Sequence, residues 1–153
     1  HNKLSILGGD LLIETLDRLD EGSLLPRKQD HSLATSAPIL RKEDGELDWS
    51  WPSQKIHNRV RGFNPWPGIF TLFRGKLLRI WKTGLAEDTL HGENTDFPTG
   101  ALFHVAHMPL RVQTGDGERL VLLEVQPEGH RRMTGRDFWN GFRIKPGERL
   151  GKV

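Results

Sequence analysis

The residues of this chain with the most chemistry to offer are cations set among aromatic rings. The stretch HNRVRGFNPWPGIF, His57 to Phe70, carries His57, Arg59 and Arg61 ahead of a Pro65-Trp66-Pro67 turn. Lys55, Arg59, Arg61, Arg74, Lys76, Arg79 and Lys82 follow one another between Asp48 and Glu87 with no acidic residue among them. A second group, Arg131, Arg132, Arg136, Arg143, Lys145, Arg149 and Lys152, is interrupted only by Asp137 and Glu148. Acidic residues gather instead in 10–21, 43–48 and 87–96, so a net charge of +2 conceals strong segregation. Charge separated in this way suits a phosphate backbone, and Trp66, Phe70 and Trp81 could stack bases beside it. The competing readings are a solvated surface for the charges and core packing for the rings. Arg79 and Lys82, at odd spacing on a strand, are expected on opposite faces, so not every cation can share one surface.

Other chemistries find little support. The chain has no cysteine, which removes disulfide scaffolds, cysteine-based zinc sites and thiol nucleophiles. His104 and His107 would point to opposite faces of a strand and lack a third ligand nearby, so no metal is expected. GDGE (115–118) reads as a hairpin turn rather than a calcium loop. Neither FRGK (73–76) nor TGDGER (114–119) matches a phosphate-cradling loop, and no G-x-S-x-G elbow occurs. Asp44, Glu46 and Asp48 read as solvated charges or helix caps. The sequence shows no self-contained catalytic site.

Positioning these side chains requires a scaffold. Leu4, Leu7, Leu11, Leu12, Leu16 and Leu19 mark a helix over 3–21, with Asn2 as its cap and Gly22 as its stop. One helix cannot bury such a stripe alone, so residues 1–22 are expected to be the terminal helix of an absent upstream domain. Residues 23–50, broken by Pro26 and Pro38, read as a linker. Residues 51–153 read as a separate domain. Within it a second helix is expected from about Pro52 to Arg61, capped by Ser50 or Ser53, with Gly62 as a left-handed exit. Ile56, Val60 and Phe63 would form its inner face, Lys55 and Arg59 one flank, His57 and Arg61 the other. Strands are expected at 69–73 and 76–82, joined by Arg74-Gly75, and at 100–106, 110–114 and 119–127. A polar loop should cover 84–98, and a short helix should run from Thr134 to Asn140 with Gly141 as its stop. The pattern is mainly β with short helices: a small, OB-like, partly open β-barrel preceded by one amphipathic helix and a linker.

Seventeen glycines and nine prolines in 153 residues agree with a turn-rich body. The chain opens without Met or signal-peptide character and has no apolar run near the ~20 residues that span a membrane. It therefore reads as a piece of a longer, cytoplasmic protein.

Two long blocks carry a family resemblance. DWSWPSQKIHNRVRGFNPWPGIFT (48–71) and VQTGDGERLVLLEVQPEGHRRMTGRDFWNGFRIKPGERLG (112–151) resemble the C-terminal domain of the methionyl-tRNA formyltransferases. NKLSILGGDLLIETLDRLDEGSLLPRKQD (2–30) resembles the last helix of their catalytic domain and its exit, while 83–99 carries little signal. The resemblance implies an enzyme that transfers a formyl group from 10-formyltetrahydrofolate to the methionine amino group of initiator methionyl-tRNA. It also implies a Rossmann-like catalytic domain, whose catalytic residues have no counterpart here, followed by an OB-like barrel. No cofactor and no metal is expected in this chain, 10-formyltetrahydrofolate being the parent enzyme's co-substrate. Its expected partners are initiator methionyl-tRNA and the missing catalytic domain, not a membrane. By position, tRNA binding would fall on Arg27, Lys28, Arg41 and Lys42 in the linker and on Lys55, Arg59, Arg61, Lys76, Arg131 and Arg132 in the barrel. Trp66 would plug the barrel or the domain junction. Two alternatives stand beside this reading. One is a structural C-terminal domain of a formyltransferase or 10-formyltetrahydrofolate hydrolase acting on a small molecule; the other is a free-standing nucleic-acid-binding barrel.

Overall fold

The computed structural model describes residues 2–86, 97–104 and 109–152 and divides into two compact units, His1–Pro38 and Ile39–Val153. The first unit is built on α1 (Asn2–Asp20). The helix ends as the sequence suggests, with the Gly22 amide donating to Leu19 O (3.1 Å) and the Ser23 amide to Arg18 O (3.0 Å). Its leucine stripe is exposed along its whole length, and Ile6 and Ile13 are exposed with it. Asp30 caps a short 3-10 turn, His31–Leu33, by accepting from the Ser32 amide at 2.9 Å.

The second unit is a six-stranded antiparallel sheet: β1 (Ile69–Phe73), β2 (Lys76–Leu85), β3 (Leu102–Phe103), β4 (Arg111–Gln113), β5 (Arg119–Pro127) and β6 (Met133–Thr134). The order is β1-β2-β5-β4-β3, with β6 pairing the end of β5. Arg74 and Gly75 both have positive φ, 50° and 74°, the backbone of a tight two-residue hairpin. The strands expected at 100–106 and 110–114 shorten to β3 and β4, and residues 105–108 lie outside the described residues. Of the expected loop at 84–98, Gly84 and Leu85 extend β2 and 87–96 lie outside the described residues.

The sheet curls into a barrel without closing strand to strand. Its end strands, β1 and β3, meet a strip near the C-terminus through single bridges, Phe73 to Leu150 and Ala101 to Arg149. The Gly151 amide donates to Leu72 O and the Leu102 amide to Glu148 O. Another stretch of the β1 edge is covered by residues 46–47, where the Leu47 amide donates to Phe70 O at 2.9 Å. Leu47 and Trp49, expected in the linker, are therefore buried in the core, and the Trp49 indole donates to Thr71 Oγ1 at 3.0 Å. Gly45 lets this segment pass, since a β-carbon there would lie 2.1 Å from the Gly68 carbonyl oxygen.

Two bulges decide which side chains face outward. Ile80 pairs with Val125, Lys82 with Glu124 and Thr83 with Leu122, leaving Trp81 and Leu123 as extra residues. The extra residue on β2 reverses the alternation after Ile80, so Arg79 and Lys82 are both exposed while Ile80 and Thr83 are both buried. The sequence expectation of opposite faces fails for that reason. At the barrel's other end, α3 (Gly135–Gly141) starts from Thr134, whose hydroxyl accepts from the Asp137 amide at 3.1 Å. Gly141 is still helical, and the left-handed residue is Arg143, at φ 48°. Phe138 of α3 is fully buried, edge-on to Phe73 with centroids 5.0 Å apart.

The remaining helix, α2 (Ser53–Phe63), seats Ile56 and Val60 in the core. Gly62, expected as its exit, is helical; the exit is set by Asn64, whose amide reaches the carbonyls of Val60, Trp81 and Ile80 at 2.9, 3.0 and 3.3 Å. Nor does Ser50 or Ser53 cap the start. The cap comes from the β4–β5 turn, where Asp116 Oδ2 accepts from the Ser53 amide (2.9 Å) and hydroxyl (3.1 Å). Burial pushes the Asp116 carboxyl up, but hydrogen bonds from Thr114, Ser53 and Glu118 outweigh it and hold the pKa below the ordinary value. A depressed carboxyl pKa adds stability above about pH 4 that is lost as pH falls through the folded value. Asp116→Ala should therefore lower stability by about 1 kcal/mol at pH 7. In urea titrations its deficit should shrink toward zero below about pH 4; a deficit independent of pH would contradict this role for the carboxylate.

Candidate nucleic-acid interface

Two cations of α2, Lys55 and Arg59, are held on rings. Trp51, Lys55 and Arg59 recur at intervals of four, which stacks them along one flank. Lys55 Nζ lies 4.1 Å from the Trp51 ring centroid and the Arg59 guanidinium 4.9 Å from the same centroid. Arg59 also sits 4.4 Å from the Phe63 centroid and donates to the carbonyl of Asp44. That bond brings a short 3-10 turn, Lys42–Gly45, beside the flank, and with it Arg41 and Lys42, both exposed. The turn is itself fixed by the Arg41 amide donating to Asp44 Oδ2 at 2.7 Å.

The opposite flank carries His57 and Arg61. Arg61 is exposed and donates to Asn58 Oδ1 at 3.2 Å. His57 Nδ1 lies 2.9 Å from Thr83 Oγ1, which ties α2 to β2. Burial, and secondarily the Arg61 charge, holds the His57 pKa below 6.5. The sequence counts His57 among the basic groups; in the fold it is a neutral hydrogen-bonding partner at pH 7.

A third set of cations lies on the outer face of the sheet. Arg132 covers the Trp81 ring at 3.8 Å, and the Trp81 indole donates to Gln126 Oε1 at 2.9 Å. Arg132 also pairs with Glu124 at 3.4 Å. Lys76, at the hairpin, and His130 line one small cleft; His130, Arg131 and Arg132 line its neighbour. Arg27 and Lys28 are exposed within the first unit. The ten residues singled out by sequence thus resolve into groups. Arg41, Lys42, Lys55 and Arg59 come together, Arg61 occupies the far flank, Lys76, Arg131 and Arg132 cluster around His130, and Arg27 and Lys28 belong to the other unit. Among the described residues Arg132 alone of the ten forms an ion pair with a carboxylate.

Sequence reading missed the bracing role of Trp51, although its spacing from Lys55 and Arg59 carried the signal. Trp66, expected to plug the barrel or the domain junction, is 63% exposed and does not plug the barrel; Trp49 fills the core instead. Among the described residues no His, Asp and Glu side chains group as a metal site, and His104 stacks on Trp139 with centroids 5.6 Å apart. His107 lies outside the described residues. No described helix is long and apolar enough to cross a membrane.

Fold and surface together define a class: a small, partly open β-barrel module bearing aromatic-braced cations. Residues 39–143 match the family model described as formyl transferase, C-terminal domain. The chain belongs to that family. It is 47% identical over 150 residues to the methionyl-tRNA formyltransferase of Solibacter usitatus, covering 98% of this chain and 46% of the relative. It is 43% identical over 152 residues to that of Geotalea uraniireducens, covering 99% and 46%. Against that of Bacillus velezensis it is 36% identical over 153 residues, covering 100% and 47%. The chain thus spans about half the length of these curated relatives, and the resemblance read from its sequence blocks is borne out. The fold is shared with a crystal structure of a HypX variant from Aquifex aeolicus (TM-score 0.57, 18% identity), over 90% of this chain and 24% of that one.

His57 and Arg61, on one flank of α2, are electrostatically coupled, which gives a direct check. In NMR titration His57 should have its midpoint below 6.5, and Arg61→Ala should raise it only part of the way back, because burial is the larger cause. Since the unfolded chain takes up that proton more readily, the associated stability is present above pH 6.5 and declines as pH falls through it. A His57 midpoint that ignores Arg61→Ala would break the coupling.

Proposed function

We propose that this chain is the tRNA-docking, C-terminal part of a cytoplasmic enzyme that transfers a formyl group from 10-formyltetrahydrofolate to the methionine amino group of initiator methionyl-tRNA. The catalytic residues belong, on this reading, to a separate catalytic domain, in keeping with relatives about twice as long that bear the name methionyl-tRNA formyltransferase. The observation that carries the proposal is the state of the α2 cations: Lys55, Arg59 and Arg61 are oriented by rings, a carbonyl and an amide, and among the described residues no carboxylate forms an ion pair with them, the Lys55 charge being felt only weakly at Asp48.

Cations fixed in this way lose little freedom on meeting phosphates, and phosphate contacts set register rather than sequence preference. Lys55, Arg61, Arg41 and Lys42 are the exposed contact groups. Arg59, half-buried between two rings, is a positioning residue that holds the 39–45 segment on the helix. Arg27, Lys28, Lys76, Arg131 and Arg132 would extend the contact.

The formyl donor does not fit the cleft of about 520 Å³ lined by residues 46–50, Thr71, Leu72, Thr99 and residues 149–152. Its cations are committed, Arg149 to the Thr99 carbonyl (3.1 Å) and Lys152 to Glu46 (2.8 Å). Glu46 and Asp48 would oppose the carboxylates of a folate. No step of the reaction is assigned to these residues.

Binding of an initiator-tRNA transcript, followed by fluorescence anisotropy from low to physiological salt, tests the reading. Affinity should fall steeply with salt. Lys55→Ala and Arg61→Ala should each weaken binding and reduce the salt slope by about 1. Salt-independent binding, or slopes unchanged in both variants, would instead favour a structural module of a formyltransferase or hydrolase acting on a small molecule.

A further inference from the structure

We infer that Trp66 is a stacking platform for one unpaired base of the docked RNA; the inference rests on the RNA-docking reading above. Of the three aromatic residues the sequence singles out as base-stacking candidates, Trp66, Phe70 and Trp81, only one is exposed. Trp81 is covered by Arg132 and bonded to Gln126. Phe70 is half-buried, with its ring edge against Gly45. Trp66 is 63% exposed.

Exposure alone would describe a loose loop, but this loop is anchored at both ends. Asn64 ties its start to the carbonyls of Val60, Ile80 and Trp81, and the Gly68 amide returns to Phe63 O at 2.9 Å. Pro67 and Gly68, directly after the ring, are buried. The indole is thus held in water by a fixed mount, so its face is available without a large ordering cost.

The surroundings select the ligand. Arg79 reaches the same loop, its Nη1 3.8 Å from where a β-carbon on Gly68 would sit. Arg61 occupies the last turn of the helix from which the loop departs. The other large apolar side chains exposed on this unit among the described residues belong to different segments: Ile39 and Leu40 before the 3-10 turn, Leu85 at the end of β2, and Leu123 at the β5 bulge. A protein-docking surface gathers apolar side chains around its aromatic anchor. A single exposed indole on a loop that one guanidinium reaches and another precedes matches a base and the phosphates flanking it. Because every base has a π-face, the platform tolerates any sequence, but the base must be unpaired.

The test uses the full chain and two RNA probes, a hairpin with a four-nucleotide single-stranded 3′ overhang and the same hairpin with a blunt end. Trp66→Ala should weaken overhang binding by about 5- to 100-fold while leaving blunt-hairpin affinity and the salt slope unchanged. Trp66→Phe should restore most of the loss. Wild-type affinity for the overhang in Trp66→Ala, or equal losses on both probes, would overturn the platform while leaving the docking reading in place. Failure of the wild-type chain to bind either hairpin at low salt would overturn the docking reading and the platform with it.

Discussion

Burial of Ile56 and Val60 in the mouth of an open barrel is the constraint from which the surface of this domain follows. Once those side chains are committed inward, 100° per residue leaves α2 no freedom over its charges. Lys55 and Arg59 emerge on one flank, His57 and Arg61 on the other. The barrel then finishes what the helix starts. Burial against the barrel takes His57 out of the charged set, Thr83 ties its ring to β2, and Trp51 with Phe63 fixes where the Arg59 guanidinium lies. The segment before the helix depends on the same seat, because Arg59 grips it through the Asp44 carbonyl.

Charge placement on this unit uses two kinds of contact, and Arg74 and Arg132 use both. Arg74 with Glu148, Arg132 with Glu124 and Lys152 with Glu46 are ion pairs on partly exposed side chains, and such pairs add little stability. Lys55 and Arg59 of α2 instead lie against rings. A ring fixes a cation's position without cancelling its charge. The first arrangement closes loops and sheet edges; the second keeps positive potential facing solvent.

What could be read from the sequence is what is local. The Arg74-Gly75 hairpin, the Thr134 cap and the inward stripe of α2 each lie within a few residues and were legible. What could not be read depends on partners far along the chain. Asp116 caps a helix that begins 63 residues earlier. Leu47 and Trp49 look like linker residues until the β1 edge recruits them. The bulges at Trp81 and Leu123 exist only in the pairing of two strands, and they place Arg79 and Lys82 on one side of the sheet. The same holds for the candidate site. The Trp51, Lys55 and Arg59 spacing was visible, but whether Trp66 lay inside or outside turned on Asn64 reaching across to β2.

The strip from Glu148 to Gly151 has a consequence beyond closing the barrel. It lies against both end strands at once, so a chain interrupted before it would leave the Leu72 and Gly100 carbonyls and the Leu102 amide without partners on two edges of one molecule. Such a molecule is bivalent. Each copy could template a neighbour on either side, and the product would be an open-ended polymer rather than a merely looser monomer.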